Sequence, residues 1–339
     1  MRRLLLLTLL LAACDRSEDR ATAAREGRGA RRLSQRARET LPKPRLSARD
    51  ASPLLPRETL AKNRFILTPA TVRPPSEEPL EDLRKRFRDL ARHDPERGLR
   101  ELVEADAFSP FGSGTALCMS CFISELVTAS PTTAIALTDL LEDDEIRHNY
   151  ANLVYMEIAT RDPALAWRYW DERHAADRTD SPGAILSVTA AFGNLRETWH
   201  TYQAHDPSAD AALFLTQTCA ALHSSSPDEL DFAFTLLRGL PDEAPLGFVC
   251  LGAGYAIARH DPEGFAAWLD SKPQATRYNE GYYVTAATYL ENGDPVTAAR
   301  WAARLPEDYL KETLLSSFRY KGAADIPEVR ALLPSLVPP

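Results

Sequence analysis

Residues 282–306 read YYVTAATYLENGDPVTAARWAARLP. An aromatic and small-residue run from Tyr282 to Glu291 is followed by Asp294-Pro295, a second apolar run containing Trp301, and Leu305-Pro306. Aspartate at a helix N-cap accepts bonds from free backbone N–H groups, and proline at the first helical position gives up only a donor that would be orphaned there. Asp-Pro is therefore a helix start with a mechanism. Leu-Pro is a helix stop, because proline disfavours helix in the residue before it. The stretch predicts two helices joined by a tight turn, the second shorter than the first.

The same punctuation recurs. Asp-Pro appears at Asp94, Asp162, Asp206, Asp261 and Asp294, and related Ser-Pro and Ile-Pro steps bring the helix-starting prolines to 95, 131, 163, 227, 262, 295 and 327. Their intervals are 36, 32, 64, 35, 33 and 32 residues, so only the 64 needs a missing member. Halving it lands on Leu195 in GNLRETWHTY, a copy without proline, which leaves Asp206 out of register. Eight units of about 33 residues follow, inside the range of helical-hairpin repeats. The first helices are apolar nearly all round, as in LGFVCLGAGYAIA from Leu246 to Ala258, which predicts burial between neighbours.

At the residue level these units resemble tetratricopeptide-like repeats, with Tyr282, Ala286, Tyr289 and Ala298 at the large, small, aromatic and small positions of that pattern. The resemblance implies an all-α, αα-hairpin solenoid of about eight units over residues 79–339, with a concave face built by the first helices. Such solenoids mostly bind proteins or peptides. In that register the concave positions are the second, fifth and ninth of each first helix, counting Tyr282 as the fourth. This selects His148, Tyr155, Glu280, Tyr283 and Arg319 as the partner-binding groove.

Residues 1–13, MRRLLLLTLLLAA, have the charged, apolar and small-residue layout of a signal peptide. The run is too short to span a bilayer, which takes about 20 apolar residues. Leu11-Ala12-Ala13-Cys14 resembles the lipobox of a bacterial lipoprotein precursor. The resemblance implies lipid attachment at Cys14, a membrane anchor of two or three acyl chains and a cell-envelope location. A plain signal peptide with a chance cysteine is the alternative, and which membrane holds the anchor stays open. Residues 14–78 read as an Arg- and Pro-rich disordered tether. Its basic surplus either lies on anionic lipid or is simply solvated.

Length and composition (339 residues, 44% hydrophobic, 26% charged) are those of a globular chain. The formal charge of -8 hides an asymmetry: residues 15–78 hold 15 basic and 9 acidic residues, whereas 79–339 hold 23 basic and 39 acidic. A net of -16 on the large segment argues against a nucleic-acid partner.

Catalytic and metal motifs are sparse. Cys118 and Cys121 form CMSC without the strand-to-helix context of a redox pair, and read as buried thiols. Cys219 and Cys250 fall one helical turn out of step in adjacent units, so no structural disulfide is expected. Glu145-x-x-His148 and Glu197-x-x-His200 sit on helices two units apart and read as surface polar residues rather than a di-iron site. His93, His205 and His260 each precede an Asp-Pro step and read as helix-junction residues, while the acidic run 142–145 reads as a solvated turn at a helix start. No phosphate loop, dinucleotide fingerprint, HExxH or nucleophile elbow is present, and no cofactor or metal is expected. The reading is a lipid-anchored envelope scaffold, not an enzyme, that binds an envelope protein or peptide. Its rivals are an envelope enzyme on an α/α scaffold, cutting cell-wall glycan through two carboxyls about 5 to 9 Å apart, and a structural spacer.

Overall fold

The computed structural model describes residues 80–104, 115–175, 181–241, 244, 246–272 and 278–336. The signal stretch, Cys14 and the tether lie outside the described residues. What is described is all-helical, and the helices come in pairs. The first four pairs are α1 (Leu80–His93) with α2 (Pro95–Glu104), α3 (Thr115–Ala129) with α4 (Pro131–Leu137), α5 (Asp144–Arg161) with α6 (Pro163–Ala175), and α7 (Gly183–Phe192) with α8 (Leu195–His205). In the fifth, α9 (Ala211–Gln217) and α10 (Cys219–Leu222) together precede α11 (Pro227–Arg238). In the sixth, α12 (Leu246–Val249) continues through a π turn, Cys250–Gly254, into α13 (Tyr255–His260), followed by α14 (Pro262–Asp270). Then come α15 (Asn279–Glu291) with α16 (Pro295–Ala302), and α17 (Tyr309–Tyr320) with α18 (Pro327–Leu332). Among the described residues no helix is long and apolar enough to cross a membrane.

Each of the eight expected second-helix starts is the first residue of a helix. The chemistry at those starts is the expected one. Asp94, Ser130, Asp162, Ser226, Asp261 and Asp294 each accept the backbone N–H three residues on, at 2.8 to 3.4 Å. The copy lacking proline keeps its cap, since Asn194 accepts from Glu197 N at 3.1 Å. Leu195 then has an N–H that proline would not have had, and Glu229 Oε1 of the next pair accepts it at 3.0 Å. The other oxygen of Glu229 accepts from Ser226 N, closing a capping box on its own helix. Only the last start, at Ile326, has no side-chain cap.

A pair cannot bury its own apolar surface, so it packs on the next. Substantial contacts run within a pair or between adjacent pairs, and every first helix touches the first helix that follows. One continuous core results, from Leu83 to Leu336. Polar bonds stitch neighbours at about the repeat spacing: Arg92 to Glu125 at 2.7 Å, His205 to Asp171 at 2.8 Å, Arg304 to Asp270 at 2.6 Å, and buried Arg173 to Asp139 at 3.3 Å. Two interfaces need glycine. A Cβ on Gly98 would meet the Phe122 ring at 2.4 Å, and one on Gly252 would meet Cys219 Cβ at 3.0 Å.

Two outcomes test this account of the helix starts. Replacing Glu229 by alanine removes a capping box and the partner of Leu195 together, and should cost about 1 to 3 kcal/mol in urea unfolding, more than Ser226→Ala at about 1 kcal/mol. Asp294 is held below the ordinary carboxylate range, first by the Thr297 N–H that it accepts. Its contribution is therefore present above the unfolded-state value near pH 4 and fades as the pH falls through the lower folded one. The stability difference between wild type and Asp294→Asn should shrink over that acid window.

Candidate binding face

A first helix is covered on one side by its own second helix and on two others by neighbouring pairs. The fourth side remains, and burial along the helices picks it out. In α5 the covered residues include Tyr150, Ala151, Val154, Tyr155 and Ile158, while Asn149, Asn152, Met156 and Thr160 are partly or fully exposed. Those four follow helical spacings of three, four and four, and so share one face. Met156 stands seven residues before the start of the second helix. The same count gives Arg88 in α1, Ser124 in α3, Ala220 in α10, Tyr255 in α13 and Tyr320 in α17, all partly or fully exposed, whereas Val188 at that place in α7 is buried. Side-chain contacts join neighbouring helices along parts of this side. Arg161 donates to Thr128 Oγ1 at 2.7 Å and to Ser124 Oγ at 2.9 Å; Tyr255 is bonded to Glu291; and the His223 ring lies 6.4 Å from that of Tyr255.

The unit at Tyr282 breaks the count. There the matching residue, Ala287, stands eight before the helix start, because Gly293 at φ +83° adds one residue to the turn. The N–H of Asp294 reaches back five residues to Tyr289 O, whereas that of Asp162 reaches back four to Ile158 O. Gly293 supplies the left-handed conformation that such a helix end requires. A register taken from this unit is therefore one residue out elsewhere.

That slip decides the fate of the groove residues. Glu280 and Tyr283 lie on the face and are partly exposed. Tyr155 does not: it is 1% exposed and matches Ala286, a core position, so its assignment to the groove is corrected. Met156, 42% exposed, holds the surface place instead. Arg319 likewise falls one residue short of Tyr320 and is tied to Ser335 O at 3.2 Å. His148 is exposed but at the rim, level with Asn279 rather than Glu280.

The face has a chemical character that total charge conceals. From Ser120 through Tyr255 its positions carry hydroxyl, amide, aliphatic or aromatic groups and no charge, including Asn149, Asn152, Met156, Phe192, Thr216 and Leu251. Charges at its border are paired, Glu125 with Arg92 and Glu157 with Arg161. At one end stand Arg84, Arg88 and Arg92, and at the other Arg259, Glu280 and Glu291.

Other candidates are structural. Cys118 is buried, whereas Cys121 is only partly covered, near Arg88; neither they nor Cys219 and Cys250 are joined in a disulfide among the described residues. Burial pushes the Cys250 thiol up to about 12 and raises Cys219 as well. His93, His205 and His260 end their helices and bond to Asp89 O, Asp171 and Asp231. Asp143, in the acidic run, caps α5 by accepting from Glu145 and Ile146 N at 2.9 Å. Glu197 and His200 line an open hollow along α8, and a second open hollow runs along α1 past Lys85, Arg86 and His93. Among the described residues no cluster of three metal-ligating side chains occurs.

No family model, no curated protein and no solved structure matches this chain.

Replacing Tyr155 by alanine should destabilise the fold by about 3 to 5 kcal/mol, the range for a large buried aromatic, whereas Met156→Ala should shift the urea midpoint little. Equal effects of the two would undo the corrected register.

Proposed function

We propose that this chain is a lipid-anchored scaffold of the bacterial cell envelope, a tetratricopeptide-like solenoid whose first-helix face holds an extended segment of another envelope protein. The observation that carries the reading is the uncharged face on a domain of net charge -16. Exposed helix faces with no partner normally carry charged residues, which cost nothing in water and keep copies apart. Here several successive helices present none. Docking on such a face desolvates hydroxyls and amides that a peptide backbone can match, rather than ions that it cannot.

Packing of each pair on its neighbours alone supports the solenoid reading. In the tetratricopeptide-like register the face is the concave one. An uncovered side of successive helices suits an extended strand of polypeptide more than a small molecule, whose sites are enclosed. The lipobox at Cys14 supplies the anchor in this reading, and the segment up to residue 78 the spacer.

The test is cross-linking of the full-length lipoprotein in its native envelope, with Cys14→Ala as the unanchored control and Met156→Glu plus Thr216→Glu as the blocked face. A discrete protein partner should be captured by the wild type and lost in the doubly charged variant, which should fold normally because Met156 is exposed and Thr216 partly so. Capture that is unchanged by the two charges would remove the face from the function, and membrane association unchanged by Cys14→Ala would remove the anchor.

A further inference from the structure

Glu280 departs from the rest of the face. It is half-buried, its carboxylate resting on the bare backbone of Gly247 in the preceding first helix, where an added Cβ would lie 3.0 Å from both the carboxyl carbon and Oε1. Three acids at the border of the face have partners: Glu291 has Tyr255 and Arg259, Glu125 has Arg92, and Glu157 has Arg161. Glu280 makes no hydrogen bond or ion pair among the described residues. Its charge reaches the buried Cys250 thiol, adding to the upward push of burial there.

The surroundings are aromatic. Phe248, next to Gly247, leaves 51% of its surface in water, and Tyr283 follows Glu280 by one turn on the same side of α15. A half-covered carboxylate beside aromatic rings suits a cation on a flexible stem. The carboxylate takes the charge, bidentately for a guanidinium, and the rings take the stem and the cation's face. A neutral or acidic side chain would leave the carboxylate desolvated without compensation.

We infer that Glu280, with Phe248 and Tyr283, forms the subsite for one arginine or lysine side chain of an extended partner peptide. The inference rests on the peptide-binding reading above and adds to it the polarity of the ligand: neutral along the middle of the face, basic where it crosses α12 and α15.

Selection of random 12-residue peptides on the full-length protein in detergent reads this directly. Wild type should enrich arginine or lysine at one position at least tenfold over the input library. Glu280→Gln should lose that preference while keeping the neutral remainder of the motif. Gly247→Ala retains the carboxylate but displaces it, and should weaken the basic preference without abolishing binding; circular dichroism melts check that both variants fold. A basic preference that persists in Glu280→Gln, or that is missing from peptides the wild type selects, would overturn the subsite and leave the face. If wild type selects no peptide at all, the peptide-binding reading falls and takes the subsite with it.

Discussion

A side-chain oxygen placed one residue before a helix and accepting the N–H three residues on is the interaction from which this structure follows. Asp94, Ser130, Asp162, Asn194, Ser226, Asp261 and Asp294 each do this. The cap alone does not turn the chain, and proline alone does not start a helix. Together they end one helix and begin another with one to four residues between, so the chain is cut into hairpins too small to bury their own apolar surface. Stacking is the remaining way to cover it. Because adjacent pairs contact each other at corresponding places, the stitching bonds recur at intervals of 33 or 34 residues, as in Arg92 with Glu125 and Arg304 with Asp270.

The same logic explains where the pattern is repaired. Leu195 replaces proline and so adds a backbone donor at a place where the other units with proline have none. Glu229 accepts it from the next pair, which makes the start of one second helix depend on the cap of another. Around Cys250 the repair is steric. The π turn and the absence of a Cβ at Gly252 against Cys219 let two first helices approach closely, and its absence at Gly281 lets α15 close on Leu269 of α14.

Helix starts were legible in the sequence because they are local: an N-cap residue and a proline suffice, and even the degenerate start at Leu195 fell to spacing alone. The faces were less legible, because they depend on how many residues a turn consumes. The unit at Tyr282 has the clearest pattern, yet its turn holds the extra Gly293, and counting from it moved the buried Tyr155 onto the surface by a single residue. A helix rotates about 100° per residue, so one residue is enough to exchange core for solvent. The neutral character of the face was hidden for the same cause, since no run of adjacent residues displays it. It emerges only when residues seven, eleven and fourteen before each helix start are read together.

In the peptide-binding reading proposed above, an uncharged strip on a strongly acidic domain also sets how a partner would be recognised. In that reading affinity would come from many small contacts along successive helices, each hydroxyl or amide replacing water with a backbone group at little net gain. Such a strip tolerates many sequences. Discrimination then falls to the few places where a mismatch is expensive, and along this face those are its charged ends. Arg92 at one end is already paired with Glu125, and Glu291 at the other with Arg259 and Tyr255. Glu280 differs in being half-buried against bare backbone, so an incorrect side chain placed over it strands a carboxylate, and a correct one completes it.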